Sequence, residues 1–146
     1  ILVRLRDPLL RFRSALTHQL ATAREPLRLR DSQGAFQRGI YAPQLRRVLA
    51  AFPVEQVWVG QYEACRADPA HELARTYAFL GLSPYDPDAS EFRGEVNPTT
   101  REKFEPSPAL RASLVEGYAN DLAQLADLLP DLDLTLWPSA REAGLA

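Results

Sequence analysis

Ile1-Leu2-Val3-Arg4-Leu5-Arg6-Asp7-Pro8 begins as a strand and ends as the start of a helix. Ile1, Leu2 and Val3 suit a buried strand. Asp7 is able to cap the backbone N–H groups of the next turn, and Pro8 has the fixed φ favoured at a first helical position. The pattern therefore predicts a helix from about Pro8. Leu10, Ser14 and His18 recur every four residues and share one face of it, with Arg11 one turn before Ser14. This order puts the Arg6 guanidinium at the carboxyl end of a strand and the Ser14 hydroxyl on the helix that follows. Open α/β sheets bind phosphorylated ligands at that corner. Arginine suits the task because its planar fork makes two parallel hydrogen bonds to phosphate oxygens. The same spacing is also met by an ordinary helix start with Arg6 and Arg11 solvated.

Working outward, the stretch from Arg24 to Arg38, with Gly34 inside it and Gly39 just after, is polar and charged and lacks a sustained apolar period, so it reads as a loop or loose helical segment. Leu45, Val48, Leu49 and Phe52 follow helical spacing and predict an amphipathic helix over 43–52, with Tyr41 just before it. Residues 56–61 read as a second strand, because Val57-Trp58-Val59 suits a sheet covered on both faces. Glu63 at its carboxyl end is expected to anchor nearby backbone or an arginine. Asp68-Pro69 repeats the cap-plus-proline start, and Leu73, Tyr77 and Leu80 stripe a helix that stops at Gly81. Strands alternating with helices predict an α/β fold with a parallel sheet. From Ser83 to Pro108 the chain is rich in Pro, Asp, Ser and Thr and is expected to be a long loop. Leu110, Leu114, Tyr118, Leu122, Leu125 and Leu129 then mark a long helix.

Composition narrows the function classes. The chain has 146 residues and a formal net charge of −2, which gives no support to nucleic-acid binding. No apolar run approaches the roughly 20 residues needed to span a bilayer. Cys65 is the sole cysteine and no Cys/His cluster has zinc spacing, so no metal site is expected and a reducing, cytoplasmic setting is favoured.

Taken in order, the motifs resemble those of PAPS-dependent sulfotransferases, whose donor is 3′-phosphoadenosine 5′-phosphosulfate. Val3-Arg4-Leu5-Arg6-Asp7-Pro8 with Arg11 and Ser14 is similar to that family's 3′-phosphate-binding motif. Tyr41-Ala42-Pro43-Gln44-Leu45, Phe52-Pro53, Glu55-Gln56-Val57-Trp58-Val59, Tyr62-Glu63, Asp68-Pro69 and Phe79-Leu80-Gly81-Leu82 resemble the middle of its carbohydrate-type and bacterial members. Asn97, Arg101, Lys103 and the tail Leu132-Asp133-Leu134-Thr135-Leu136-Trp137 look like the bacterial branch.

The resemblance covers nearly the whole chain and implies a partial three-layer parallel-sheet fold of the P-loop NTPase-like kind. Residues 1–146 would form the C-terminal part of a single sulfotransferase domain. The implied activity is transfer of the sulfonate group from PAPS to a hydroxyl or amine of a small-molecule or carbohydrate acceptor. Arg6 and Ser14 would hold the donor 3′-phosphate, Tyr41 would lie near the nucleotide or acceptor, and Arg101 or Lys103 would add positive charge from the loop. The family's 5′-phosphosulfate loop precedes the Arg-Asp-Pro motif, and the chain contains no Met. A fragment is therefore expected, inactive alone, with its catalytic residues upstream of Ile1 and one sheet edge exposed. Two other readings stay open: a P-loop nucleotide phosphotransferase, and a non-catalytic domain that keeps a phosphate site.

Overall fold

The computed structural model describes residues 1–22, 29–85, 87–92 and 102–146. It is a mixed α/β fold in which strands β1 (Leu2–Leu5) and β2 (Trp58–Gln61) pair in parallel, with Leu2 opposite Trp58 and Leu5 opposite Gln61. Each strand runs directly into a helix, α1 (Pro8–Thr22) after β1 and α4 (Tyr62–Ala67) after β2. The carboxyl ends of both strands therefore open on the same side, where Arg6 and Tyr62 lie. Helices α2 (Leu29–Gln37) and α3 (Ala42–Ala51) lie between the strands in sequence, and α5 (Pro69–Phe79), α6 (Pro108–Leu128) and α7 (Pro138–Glu142) follow.

The helix starts obey local chemistry. Asp7 Oδ1 accepts from Leu10 N at 2.8 Å, and Asp68 Oδ1 accepts from His71 N at 3.0 Å. Ser107 caps α6 through Leu110 N, with Pro108 at its first position. Gly81 takes a φ of 66° just past α5, a left-handed turn that suits glycine. Predicted strand 56–61 is shorter in the structure, because Val54–Gln56 closes a single 3-10 turn before β2 begins.

The polar stretch expected to be a loop or loose helical segment contains the helix α2, although its first part, 24–28, lies outside the described residues. The helix is held from outside: Phe36 stacks on Tyr118 of α6 with ring centres 4.6 Å apart. Glycines make that approach possible, since a Cβ at Gly117 would sit 3.0 Å from the Phe36 ring and one at Gly39 would sit 2.8 Å from Tyr118 Oη. Burying two aromatic residues stabilises a helix that has few apolar positions of its own.

The core gathers Leu5, Leu9, Phe12 and Leu16 from the β1–α1 unit, Tyr118, Leu122 and Leu125 from α6, and the fully buried Trp137. Polar clasps fix how these parts meet. Asp121 on α6 accepts from the backbone N–H groups of Tyr41 and Ala42 at 2.8 and 3.0 Å, which caps α3 from across the core. The Gln61 side chain exchanges two 2.9 Å hydrogen bonds with the Asp133 backbone, tying β2 to the tail. Among the described residues no helix is long and apolar enough to cross a membrane.

Candidate functional site

At the carboxyl end of β1 lies an open depression of about 400 Å³, lined by Arg4, Arg6, Arg11, Ser14, His18 and Tyr62 among others. The sheet supplies Arg6 directly after β1, and the four-residue helical repeat stacks Ser14 and His18 along one wall. Arg6 and Ser14, eight residues apart in sequence, thus face one space. No carboxylate lines it among the described residues. The Arg6 guanidinium carbon lies 4.7 Å from the centre of the Tyr62 ring, which braces it by a cation–π contact. Its Nε is buried and meets no hydrogen-bond partner among the described residues. A buried guanidinium N–H without an acceptor is costly unless an anion supplies one. The depression therefore suits a phosphate.

Tyr41 stands elsewhere. Its side chain is buried, and its hydroxyl donates to the Arg6 carbonyl at 2.8 Å. Through that bond it positions the backbone that carries Arg6. Burial pushes the Tyr41 phenol up to about 12, against smaller opposing effects from Arg11 and the Arg6 carbonyl bond, so it remains a donor. Burial likewise raises the Asp121 carboxyl, opposed by the two backbone N–H groups it accepts.

Lys103 is exposed and does not line the depression. Its neighbour Phe104 is fastened to α1, with its N–H on Thr17 Oγ1 at 3.0 Å and its carbonyl accepting from Arg13 Nε at 3.2 Å. Arg13 and Thr17 sit about a third of a turn round the helix from Ser14 and His18. Arg101 lies outside the described residues.

Glu63 has the anchoring role expected of it: Oε1 accepts from Asp7 N at 3.1 Å and Oε2 from the Trp137 indole at 2.9 Å. The carboxylate thereby holds the turn that presents Arg6. Tyr62 is the residue missed as a site member. Its position one step past a strand end carried the signal, but its stacking on Arg6 depends on the parallel pairing of β1 with β2.

Comparison with solved structures adds an independent line. A sulfotransferase from Alicyclobacillus acidocaldarius superposes with a TM-score of 0.71 and 30% sequence identity, over 93% of this chain and 56% of that one. The chain is similar to a sulfotransferase. It spans little more than half the length of that protein. No family model and no curated protein matches it. The likeness extends over 93% of this chain, so it bears on the α/β arrangement rather than on the Arg-Asp-Pro corner alone.

Proposed function

We propose that the depression holds the 3′-phosphate of PAPS and that the protein is a PAPS-dependent sulfotransferase acting on a hydroxyl or amine of a small-molecule or carbohydrate acceptor. The observation that carries this reading is the convergence of Ser14 with an Arg6 whose buried Nε meets no partner among the described residues, at the carboxyl end of a parallel strand. The likeness to a sulfotransferase over 93% of the chain supports the same conclusion. In this reading the two strands belong to a larger three-layer, P-loop NTPase-like sheet.

The residues have separable tasks. Arg6 pairs with phosphate oxygens while Tyr62 keeps its plane fixed, and the Ser14 hydroxyl donates from the helix wall. Arg11 adds positive charge on the same helix. Tyr41 holds the Arg6 backbone, and Arg101 or Lys103 adds positive charge from the loop that precedes α6. PAPS supplies an activated sulfonate, whose bond to the 5′-phosphate breaks as the bond to the acceptor forms. Anchoring the far 3′ end orients that reaction without touching sulfur.

Donor discrimination tests the proposal. The full-length protein is expected to bind 3′-phosphoadenosine 5′-phosphate about 100-fold more tightly than adenosine 5′-phosphate, the scale of two charge-assisted hydrogen bonds. Equal affinity would remove the 3′-phosphate assignment, and preference for ATP would transfer the chain to phosphotransferases.

A further inference from the structure

Beside the donor depression lies a second recess of about 200 Å³, and the two share Arg4 and Arg11 as a common wall. Arg38, just past the end of α2, Tyr41 and Gln44 on α3 complete its polar lining, over apolar surface from Leu45 and Val48. Three guanidinium groups thus border a small space that no carboxylate lines among the described residues. None of the three forms an ion pair among those residues. A general excess of base does not explain the cluster, because the chain carries a formal net charge of −2. Gln44 donates from Nε2 to the Ile40 carbonyl, which leaves its Oε1 to accept from a ligand hydroxyl. The volume is below the roughly 300–1,000 Å³ of recesses that enclose a whole small ligand. It fits one group of a larger molecule.

We infer that this recess binds an anionic group of the acceptor, a carboxylate or a phosphate or sulfate ester, so that the enzyme selects negatively charged acceptors over neutral ones. The inference rests on the sulfotransferase reading for the word acceptor, and on geometry for the anion. The shared wall sets the bound group next to the donor, and the apolar floor takes the carbon skeleton attached to it. Like-charged guanidiniums held together at Arg4, Arg11 and Arg38 favour an oxyanion between them through paired hydrogen bonds.

The test uses full-length protein saturated with 3′-phosphoadenosine 5′-phosphate, titrated calorimetrically with methyl glucuronide and with methyl glucoside, which differ in the carboxylate. The glucuronide is expected to bind about tenfold more tightly, the scale of one charge-assisted contact. Arg38→Gln is expected to erase that preference while nucleotide affinity holds. Arg38 is exposed, so the substitution leaves the core intact, and Arg141→Gln serves as the charge-matched control that keeps the preference. Equal binding of the two sugars, binding of neither, or a preference that survives Arg38→Gln overturns the inference. Weakened nucleotide binding in Arg38→Gln also overturns it, by giving the recess to the donor. If the nucleotide fails to bind the unaltered protein while Arg38-dependent glucuronide binding persists, the donor reading falls and the anion recess stands.

Discussion

Asp7 shows how much one side chain does here. It is 0% exposed, yet both its oxygens are used: Oδ1 caps α1 through Leu10 N, and Oδ2 accepts from both the N–H and the hydroxyl of Ser139 in α7 at 2.8 Å. One carboxylate therefore joins the first helix to the last, one residue from Arg6. Asp7→Ala is expected to lower stability by about 2–4 kcal/mol in chemical denaturation, combining a lost cap with buried donors left unpaired. Asp7→Asn should be nearly as damaging, because its amide N–H₂ must face one backbone donor. Restoration of wild-type stability by Asn would show that the second helix contact is unimportant. Tyr41→Phe removes only the bond to the Arg6 carbonyl and is expected to cost about 1 kcal/mol near neutral pH. Burial favours the neutral phenol, so its contribution is full below the ordinary tyrosine value near 10 and fades as pH rises toward about 12. Wild type should accordingly lose more stability than Tyr41→Phe over that alkaline interval. Equal losses in parallel denaturation series would place the phenol in water. The cap at Asp7 was legible in the sequence from Asp-Pro spacing; its partnership with Ser139, 132 residues away, is tertiary and leaves no local trace.

Among the elements, β2 is the most constrained. An ideal Cβ at Gly60 would lie 2.1 Å from Trp58 Cη2, and Gly60 pairs with Arg4 across the sheet. Gly60→Ala must therefore displace a largely buried indole from β2, at an expected cost of about 1–3 kcal/mol. Because the same strand leads directly into Tyr62, the substitution should also weaken nucleotide binding; unchanged affinity alongside lost stability would separate the strand from the site. The helices that were readable in advance carry a start signal, as Asp7-Pro8 does for α1, or an apolar stripe, as α3, α5 and α6 do. Helix α2 lacked that stripe, so its stretch read as a loop or a loose helix; Gly39, just past its end, is needed for close packing against Tyr118. Helical order at α2 comes from the Phe36–Tyr118 stack, a contact between segments 82 residues apart in sequence that periodicity does not encode. The site divides in the same way. Arg6, Arg11 and Ser14 were readable because one strand and one helix position all three. Tyr62 reaches Arg6 only across the sheet, and the depression's second neighbour, lined by Arg38 and Gln44, needs α2 and α3 folded against β1.

At the scale of the whole molecule, a slightly acidic chain concentrates arginines where the parallel strands end. The tail closes this arrangement from behind, through Trp137 on Glu63 and Ser139 on Asp7. The frame thus keeps the guanidinium of Arg6 oriented in advance, which in the proposed function spares the donor phosphate the entropy of ordering it. Likeness to a sulfotransferase extends over 93% of the chain and 56% of that protein, so activity is a property to test on the full-length molecule. The most direct test of the central claim is calorimetric titration of that molecule with 3′-phosphoadenosine 5′-phosphate, comparing wild type with Arg6→Gln. Loss of the paired guanidinium contacts is expected to weaken binding by about 100-fold, with adenosine 5′-phosphate affected little. An Arg6→Gln protein that stays folded and binds both nucleotides as wild type does would contradict the assignment of this corner to the donor 3′-phosphate.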